Sequence, residues 1–159
     1  MLKYVGFDIV FREIPDETTL AINISNCPCH CKGCHSSYLA EDVGQVLTLD
    51  VLEYLIKKNQ GITCVSFMGG DNDTVRIDGL AEFVRKCFPS LKVAWYSGRN
   101  ELSEHIHISN FDYIKLGPYI EECGPLDNPN TNQRLYKTIM TDDGPKLKDI
   151  TFRFWNREL

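Results

Sequence analysis

The sequence has no uninterrupted apolar run of the length that crosses a membrane. It also has no apolar segment near its start of the kind that directs secretion, because Lys3, Asp8, Arg12 and Glu13 interrupt the first fifteen residues. These two absences argue against a membrane-spanning protein and against a secreted one. We therefore expect the chain to work in the cytoplasm, where thiols stay reduced.

A surplus of basic residues is missing as well. The net charge is −5 at pH 7, so no positive excess is present to neutralise phosphates, which argues against a nucleic-acid-binding protein. Internal repeats, low-complexity tracts and linkers are absent too. With 159 residues, 43% of them hydrophobic and 25% charged, the chain has the size and composition of one soluble domain, which we place at residues 1–159.

Cysteine, in contrast, is abundant, with seven in the chain. Four of them lie within eight positions: Cys27, Cys29, Cys31 and Cys34. An odd number of cysteines, crowded into one segment of a chain without a secretion signal, argues against a disulfide framework and indicates thiolates that bind metal. The other three are expected to be structural, with Cys64 in a buried strand, Cys87 on the core face of a helix and Cys123 in a loop.

The spacing of the clustered thiols leaves three interpretations open. Cys27, Cys31 and Cys34 form a Cys-x3-Cys-x2-Cys pattern that can wrap one iron–sulfur cubane, whose fourth iron is then left without a protein ligand. A zinc site would use Cys31 and Cys34 with His30 or His35, although neighbouring ligands strain tetrahedral geometry and no second cysteine pair follows. A redox dithiol would leave two further thiols unexplained.

Apolar periodicity predicts strands that alternate with helices, and hence a parallel sheet with right-handed crossovers. The predicted strands lie at 18–25, 63–68, 91–97 and 111–117, and the predicted helices at 48–61 and 80–88. Near the C-terminus, the stretches RLYKTIM and DITFRFW flank the turn-rich TDDGP and predict a closing hairpin. Residues 117–133 form a long loop rich in Pro, Gly and Asn, which is typical of a lid or a binding loop.

Polar or glycine-containing segments lie at the ends of four successive predicted strands. These segments are Cys27–Cys34, Gly69–Asp71, Ser97–Arg99 and Lys115–Gly117. Because ligands bind at the carboxyl ends of the strands in parallel sheets, we expect the four segments to meet at one site.

At these residues the sequence resembles the radical S-adenosylmethionine (SAM) enzymes, with Cys-x3-Cys-x2-Cys after the first predicted strand and Gly-Gly-acidic after the second. Within that superfamily it is similar to the activating proteins of anaerobic ribonucleoside-triphosphate reductase. The similar segments run from about residue 20 to 137 and read LAINISNCPCHCKGCHS, FMGGD, WYSGR, FDYIKLGPYIEECGPLD and TNQRLYK. The resemblance implies an α/β fold, a partial, open parallel β/α barrel of radical SAM type, here with the C-terminal hairpin added.

The resemblance also implies roles for individual residues. Cys27, Cys31 and Cys34 would bind one [4Fe-4S] cluster, and the iron without a protein ligand would chelate the amino and carboxylate groups of SAM. Cys29 is off the spacing and is expected to remain a loop residue. Further contacts to SAM are implied for Gly69, Gly70, Asp71, Ser97, Gly98 and Lys115. Gly33 stands where many superfamily members carry an aromatic residue beside the adenine.

The implied activity is reductive cleavage of SAM to methionine and a 5'-deoxyadenosyl radical. That radical would abstract a hydrogen from a glycine of the large subunit of anaerobic ribonucleotide reductase, docked at the loop 117–133. An electron donor such as a flavodoxin would supply the electron. The shared motifs leave open an activase of another glycyl-radical enzyme, such as a formate-lyase type, or another small radical SAM enzyme. A zinc-stabilised binding module is the alternative that is not an enzyme.

Overall fold

The computed structural model describes residues 1–29 and 41–155, which fold around one eight-stranded sheet. The strands are β1 (Lys3–Val10), β2 (Thr19–Ile24), β3 (Gln45–Val46), β4 (Cys64–Met68), β5 (Lys92–Tyr96), β6 (Tyr113–Leu116), β7 (Arg134–Thr141) and β8 (Gly144–Asp149). The α-helices of this described part are α1 (Leu49–Lys58) and α2 (Thr74–Cys87), and short 3-10 helices cover Ile108–Asn110 and Thr151–Phe154. Neither α-helix combines the length and the apolar composition of a membrane span.

The strand order is β3-β1-β2-β4-β5-β6-β7-β8. The four central strands, β2, β4, β5 and β6, pair in parallel, which confirms the parallel strands predicted from the sequence. On one side β1 and β3 are antiparallel additions, and on the other side β7 and β8 are antiparallel additions. The sheet is therefore mixed, with a parallel centre between antiparallel edges.

The predicted partial parallel β/α barrel is wrong, because the sheet is mixed and open and the described residues contain only two α-helices. A β/α barrel needs a helical crossover after each strand. Between β5 and β6 the chain forms only the 3-10 turn Ile108–Asn110, and after β6 it reverses direction and returns as the antiparallel strand β7. The sheet ends in a hairpin instead of continuing with parallel strands.

The C-terminal hairpin itself is confirmed, but its second strand lies earlier than predicted. Thr141 pairs with Gly144 across a tight turn, so β8 covers Gly144–Asp149 rather than the stretch DITFRFW. The hydroxyl of Thr151 donates to Asp149 at 2.6 Å and accepts from the main-chain N–H of Leu135 at 2.8 Å. These side-chain bonds replace the strand ladder, and the chain turns into a 3-10 helix.

Helix α1 begins where the sequence indicates and ends at Lys58, before the predicted limit at residue 61. The hydroxyl of Thr48 caps it by accepting from the N–H of Val51 at 3.2 Å, and its buried face is Leu52, Leu55 and Ile56. Helix α2 begins earlier than predicted, because Asp73 caps it by accepting from the N–H of Arg76 at 3.1 Å.

The cysteine on helix α2 was misplaced by the sequence pattern. Cys87 is exposed and not on the core face as predicted, since the face that the helix buries is Ile77, Leu80, Ala81 and Val84. Cys64 is buried, as expected for a cysteine in a central strand.

The two faces of the sheet have different coverings. Every second residue of a strand points to the same face of the sheet. On the first face, residues such as Ile22, Phe67 and Trp95 pack against both helices in the larger apolar cluster. The opposite face carries a smaller cluster, in which strand residues such as Ala94 and Tyr113 pack against Ile14 and Phe154 from the segments outside the strands. A cavity lies on this second face.

Candidate functional site

A row of four side chains crosses the parallel strands on the second face of the sheet. Asn23 is paired with Met68, Met68 with Tyr96, and Tyr96 with Lys115, one residue from each of β2, β4, β5 and β6. All four line a cavity of about 530 Å³. This volume lies within the range of pockets that hold small-molecule ligands. We refer to these four residues as the cavity floor.

The predicted site segments meet at this cavity, as their positions after the parallel strands indicated. Cys27, Gly69, Asp71, Ser97, Gly98 and Lys115 all line it. Gly70 does not appear among the lining residues and faces helix α2 instead. Which of these residues bind a ligand stays a prediction.

The two glycines after β4 are required by close packing. Gly69 and Gly70 have φ angles of +116° and +97°, which L side chains rarely adopt. A Cβ on Gly69 would lie 3.2 Å from the carbonyl oxygen of Ile24, and one on Gly70 would lie 2.5 Å from Cδ1 of Ile77. The indole N–H of Trp95 donates to the carbonyl of Gly69 at 2.7 Å and fixes the turn.

Asp71 joins three segments of the site. Its Oδ1 accepts from the hydroxyl of Ser97 at 2.6 Å, and its Oδ2 accepts from the N–H of Gly98 at 2.8 Å and from the thiol of Cys29 at 3.7 Å. The Ser97 oxygen in turn accepts from the N–H of Arg99 at 3.1 Å. A carboxylate offers about four acceptor positions. Most acceptor positions of Asp71 are therefore already used in hydrogen bonds that hold the loops after β4 and β5 to the cysteine segment.

Cys29 is packed into this junction rather than exposed. A Cβ on Gly98 would lie 2.6 Å from its sulfur, so the glycine is needed to make room for the thiol. Burial first, and then the negative charge of Asp71, raise the pKa of the Cys29 thiol to about 12. That Cys29 stays outside the cluster remains a prediction.

Lys115 is a buried cation in the cavity floor, 7% exposed. Its Nζ donates to the carbonyl of Gly117 and to Oε1 of Gln133, each at 2.9 Å, and lies 5.5 Å from the centroid of the Tyr96 ring. These oxygen atoms and the aromatic face offset part of the cost of burying the charge. The lysine is held in place beside the cavity, where it provides positive charge.

The long loop 117–133 forms one wall of the cavity with Tyr119, Pro125, Leu126, Asp127 and Gln133. Internal hydrogen bonds order it. Asn132 donates to the carbonyl of Pro118 at 2.9 Å, and Thr131 donates to the carbonyl of Gly124 at 3.3 Å. The expected lid is thus a well-bonded wall beside Lys115.

Several residues that line the cavity were not predicted from the sequence. Arg12 and Glu13 come from the segment that connects β1 to β2, and Asn23, Met68 and Tyr96 complete the floor. The floor residues were detectable in principle, because each lies at or next to the end of a predicted strand and shares one side of it. The contribution of residues 12 and 13 has no signal in the local sequence.

Several predicted residues lie outside the part of the chain that the structure describes. They are His30, Cys31, Gly33, Cys34 and His35. Within residues 1–29 and 41–155, no three His, Cys, Asp or Glu side chains form a group that could hold a metal ion. The complete ligand set Cys27, Cys31 and Cys34 therefore stays a prediction, with Cys27 at the cavity wall.

Comparison with protein families identifies the class. Residues 18–115, more than half of the chain, match the family described as 4Fe-4S single cluster domain, and the chain belongs to that family. It is an iron–sulfur protein. The matched residues include all four clustered cysteines and the cavity floor, but not the loop 117–133 or the C-terminal hairpin. Comparisons with curated proteins and with solved structures gave no match.

Proposed function

We propose that the chain is a radical SAM enzyme, a single domain over residues 1–159, that activates anaerobic ribonucleotide reductase by forming a glycyl radical on its large subunit. The observation that carries this proposal is the cavity at the carboxyl ends of the parallel strands. There Cys27, of the Cys-x3-Cys-x2-Cys pattern, lines the cavity together with Asp71 and Ser97, and Lys115 lies in the floor. Membership of a 4Fe-4S family supports the cluster, and the cavity supports a ligand beside it.

The residues present fit the proposed groups. A thiol, hydroxyl and amide donors, a buried cation and carboxylates surround a space of about 530 Å³, which suits a nucleoside joined to an amino acid. When bound, the reduced cluster supplies one electron that breaks a carbon–sulfur bond of SAM, giving methionine and the 5'-deoxyadenosyl radical, which takes a hydrogen atom from the glycine Cα. Cys27 would bind the cluster together with Cys31 and Cys34.

The protein's own part in this chemistry is to hold and orient the ligand. Lys115 would bind the ligand's carboxylate, because a buried ammonium group is a strong partner for that charge. Asp71, Ser97 and Gly98 would fix the loops that surround the ligand. The aromatic and apolar side chains of Tyr96, Met68 and Leu126 would keep water from the reacting atoms.

The proposed protein partner is the large reductase subunit, docked at the wall formed by loop 117–133. Glu121, Glu122 and Asp127 of that loop are exposed. A flavodoxin or a similar protein is the proposed electron donor, and the cytoplasm is the proposed location. The features of the loop that resemble the reductase activases lie beyond the family match, so the choice of partner rests on them alone.

The test is anaerobic reconstitution with iron and sulfide, followed by addition of SAM and a reductant. We expect a brown protein that forms 5'-deoxyadenosine and methionine and that, with the large reductase subunit, gives a glycyl-radical signal in electron paramagnetic resonance. A signal only with a formate-lyase-type partner would replace the reductase by that enzyme. A colourless protein with one zinc per chain would overturn the proposal.

Matched cysteine variants separate the cluster ligands from the other thiols. Cys27→Ala should lose the cluster and SAM cleavage, because three thiolates are the proposed minimum for the cubane. Cys29→Ala should keep iron and sulfide. Cys87→Ala is the control, since that cysteine is exposed on helix α2 away from the cavity. Loss of iron in Cys29→Ala would show that the assignment of ligands is wrong.

A further inference from the structure

A buried carboxylate oxygen without a partner lies at the cavity wall. Within the described residues, Oε2 of Glu13 is buried and has no hydrogen-bond partner. Glu13 also lines the cavity, together with its neighbour Arg12. An unsatisfied buried acceptor costs free energy, and more so when it carries charge. Such an atom is accounted for if a ligand supplies the missing donor.

The position of Glu13 is fixed by its main chain. The phenol of Tyr96 donates to the carbonyl oxygen of Glu13. The next residue, Ile14, is fully buried in the apolar cluster on this face of the sheet. The carboxylate therefore stands on an anchored segment above the cavity floor, which is the pre-organisation that a binding residue requires.

The carboxylate of Asp71, which also lines the cavity, is in the opposite state. Asp71 accepts from Ser97, Gly98 and Cys29 and uses most of its acceptor capacity within the protein. Oε2 of Glu13, in contrast, accepts no hydrogen bond. Asp127, the third acidic side chain of the cavity, is exposed. Of the three, Glu13 is thus the one with a buried, unused acceptor to offer to a ligand, and Asp71 is a positioning residue.

The charge on Glu13 selects among the donors that a ligand can provide. A buried carboxylate is best compensated by a donor that is itself positively charged. Lys115 supplies the opposite charge in the cavity floor. A cavity with one buried cation and one unsatisfied anion matches a ligand with a carboxylate and an amino group, that is, an amino-acid end.

We propose that Glu13 is a ligand-binding residue of this cavity and that its carboxylate accepts a hydrogen bond from the amino group of the ligand's amino-acid end. This inference rests on the proposed function in taking SAM as that ligand. By this inference Glu13, which precedes the residues matched by the family, takes part in recognition of the ligand.

The test compares three nucleosides by calorimetry on the anaerobically reconstituted protein. SAM and S-adenosylhomocysteine carry the amino group, and 5'-methylthioadenosine lacks the amino-acid end. Glu13→Gln should weaken binding of the first two about tenfold or more, the loss expected for one charge-assisted hydrogen bond, and leave 5'-methylthioadenosine unchanged. Glu17→Gln is the matched control, because Glu17 lies on the same connecting segment but not among the described cavity residues.

A second readout follows from the unsatisfied oxygen and requires no ligand. Glu13→Met removes the charge at similar side-chain length, so it should raise the melting temperature of the ligand-free protein by about 2–4 °C. A lower melting temperature would show that Glu13 stabilises the fold, and would overturn the inference. The melting temperature can also be measured for variants that bind no ligand, so it tests the unsatisfied oxygen independently of the binding experiment.

The outcomes of the binding test separate the inference from the proposed function. If wild-type protein binds SAM and Glu13→Gln binds it equally well, the inference fails while the proposed function stands. An equal loss for 5'-methylthioadenosine would place the contact on the nucleoside and would also overturn the inference. If wild-type protein binds neither SAM nor S-adenosylhomocysteine, the proposed function fails and the inference fails with it.

Discussion

Glycines with a positive φ angle occur in this chain both in open turns and in crowded positions. Gly61 has a φ of +90° with nothing near the position of a Cβ, whereas Gly70 has a similar φ of +97° with Ile77 in the way. Gly79 lies within helix α2, has no positive φ and has open space around it. Gly61 therefore reports on backbone strain alone, Gly70 on backbone strain together with steric overlap, and Gly79 on helix propensity.

Substitution of the three glycines by alanine should have graded effects on the free energy of unfolding. Gly79→Ala should raise it by about 0.5–1 kcal/mol, because alanine favours the helix. Gly61→Ala should lower it by about 1–2 kcal/mol through backbone strain alone. Gly70→Ala should lower it further, since its Cβ meets the buried side chain of Ile77. Urea unfolding measures all three, and equal losses for Gly61→Ala and Gly70→Ala would contradict the packing argument.

A histidine on the surface provides a pH-dependent contact. Nδ1 of His107 lies 2.7 Å from Oδ2 of Asp78, whose Oδ1 accepts from the main-chain N–H of His107 at 2.8 Å. The hydrogen bond to Asp78 first, and then its negative charge, raise the pKa of His107 above its ordinary value of 6.5. Protonation of His107 is thus coupled to the folded state.

Stability should therefore depend on pH through His107. A histidine whose pKa is raised by folding contributes stability that is fully present below 6.5, its unfolded value, and lost as pH rises through the folded value. His107→Gln should lower the midpoint of urea unfolding at pH 5.5 and have little effect at pH 9. His105→Gln is the control nearby, and a loss for His107→Gln that does not change with pH would contradict the coupling.

Residue-scale reasoning from the sequence succeeded where the cause is local. The cap at Thr48 and the apolar face of helix α1 follow from residues within ten positions of one another. The exposure of Cys87 was missed because it depends on where α2 ends over the sheet rather than on its periodicity. The part of Glu13 in the cavity was missed for a similar reason, since its neighbour Tyr96 is 83 positions away in the chain.

At the scale of elements, a polar tie joins helix α2 to the strands it covers. Arg85 donates to both carboxylate oxygens of Asp112, at 2.9 and 3.4 Å, and Asp112 also accepts from the main-chain N–H of Val93 at 2.8 Å. Asp112 lies directly before β6, and Val93 is in β5. One carboxylate thus connects a helix and two strands. The side chain of Arg85 is 33% exposed and that of Asp112 is 21% exposed.

Removal of this tie should be costly compared with removal of a surface pair. Asp112→Ala should lower the free energy of unfolding by about 1–3 kcal/mol, because it leaves a buried N–H and a partly buried guanidinium without their acceptor. Glu53→Ala removes an ion pair with Lys57 on the exposed face of α1. It should change the free energy of unfolding by about 0.5 kcal/mol or less. The two variants are compared by urea unfolding, and equal losses would contradict a special role for Asp112.

At the scale of the whole molecule, the four parallel strands lie at the centre and the antiparallel strands at the edges. β2, β4, β5 and β6 are mostly buried, whereas β8 and the outer residues of β7 are largely exposed. Stability should therefore decrease from the centre outwards, and the cavity floor, with one residue on each central strand, should lie in the most stable part.

Hydrogen exchange should report this gradient. Peptides from β4 and β5 should exchange slowest, close to the rate set by global unfolding, and peptides from β3 and β8 should exchange fastest among the strands. Mass spectrometry of exchanged peptides measures the order. If β8 were protected as strongly as β4, the hairpin would be part of the stable core and the description of a central parallel unit would be wrong.

The sequence by itself determined that there are two helices, four central strands, a closing hairpin and clustered cysteines, because each follows from neighbouring residues. It did not determine where α2 and β8 begin. Tertiary structure alone decided that β1 joins the sheet as an antiparallel strand between β3 and β2, with a register shift between Tyr4 and Gly6. It also decided that the sheet is mixed and open rather than a parallel barrel. Long-range pairing and the packing of distant segments set both results, and they bring Glu13 to the same cavity as Asp71 and Lys115.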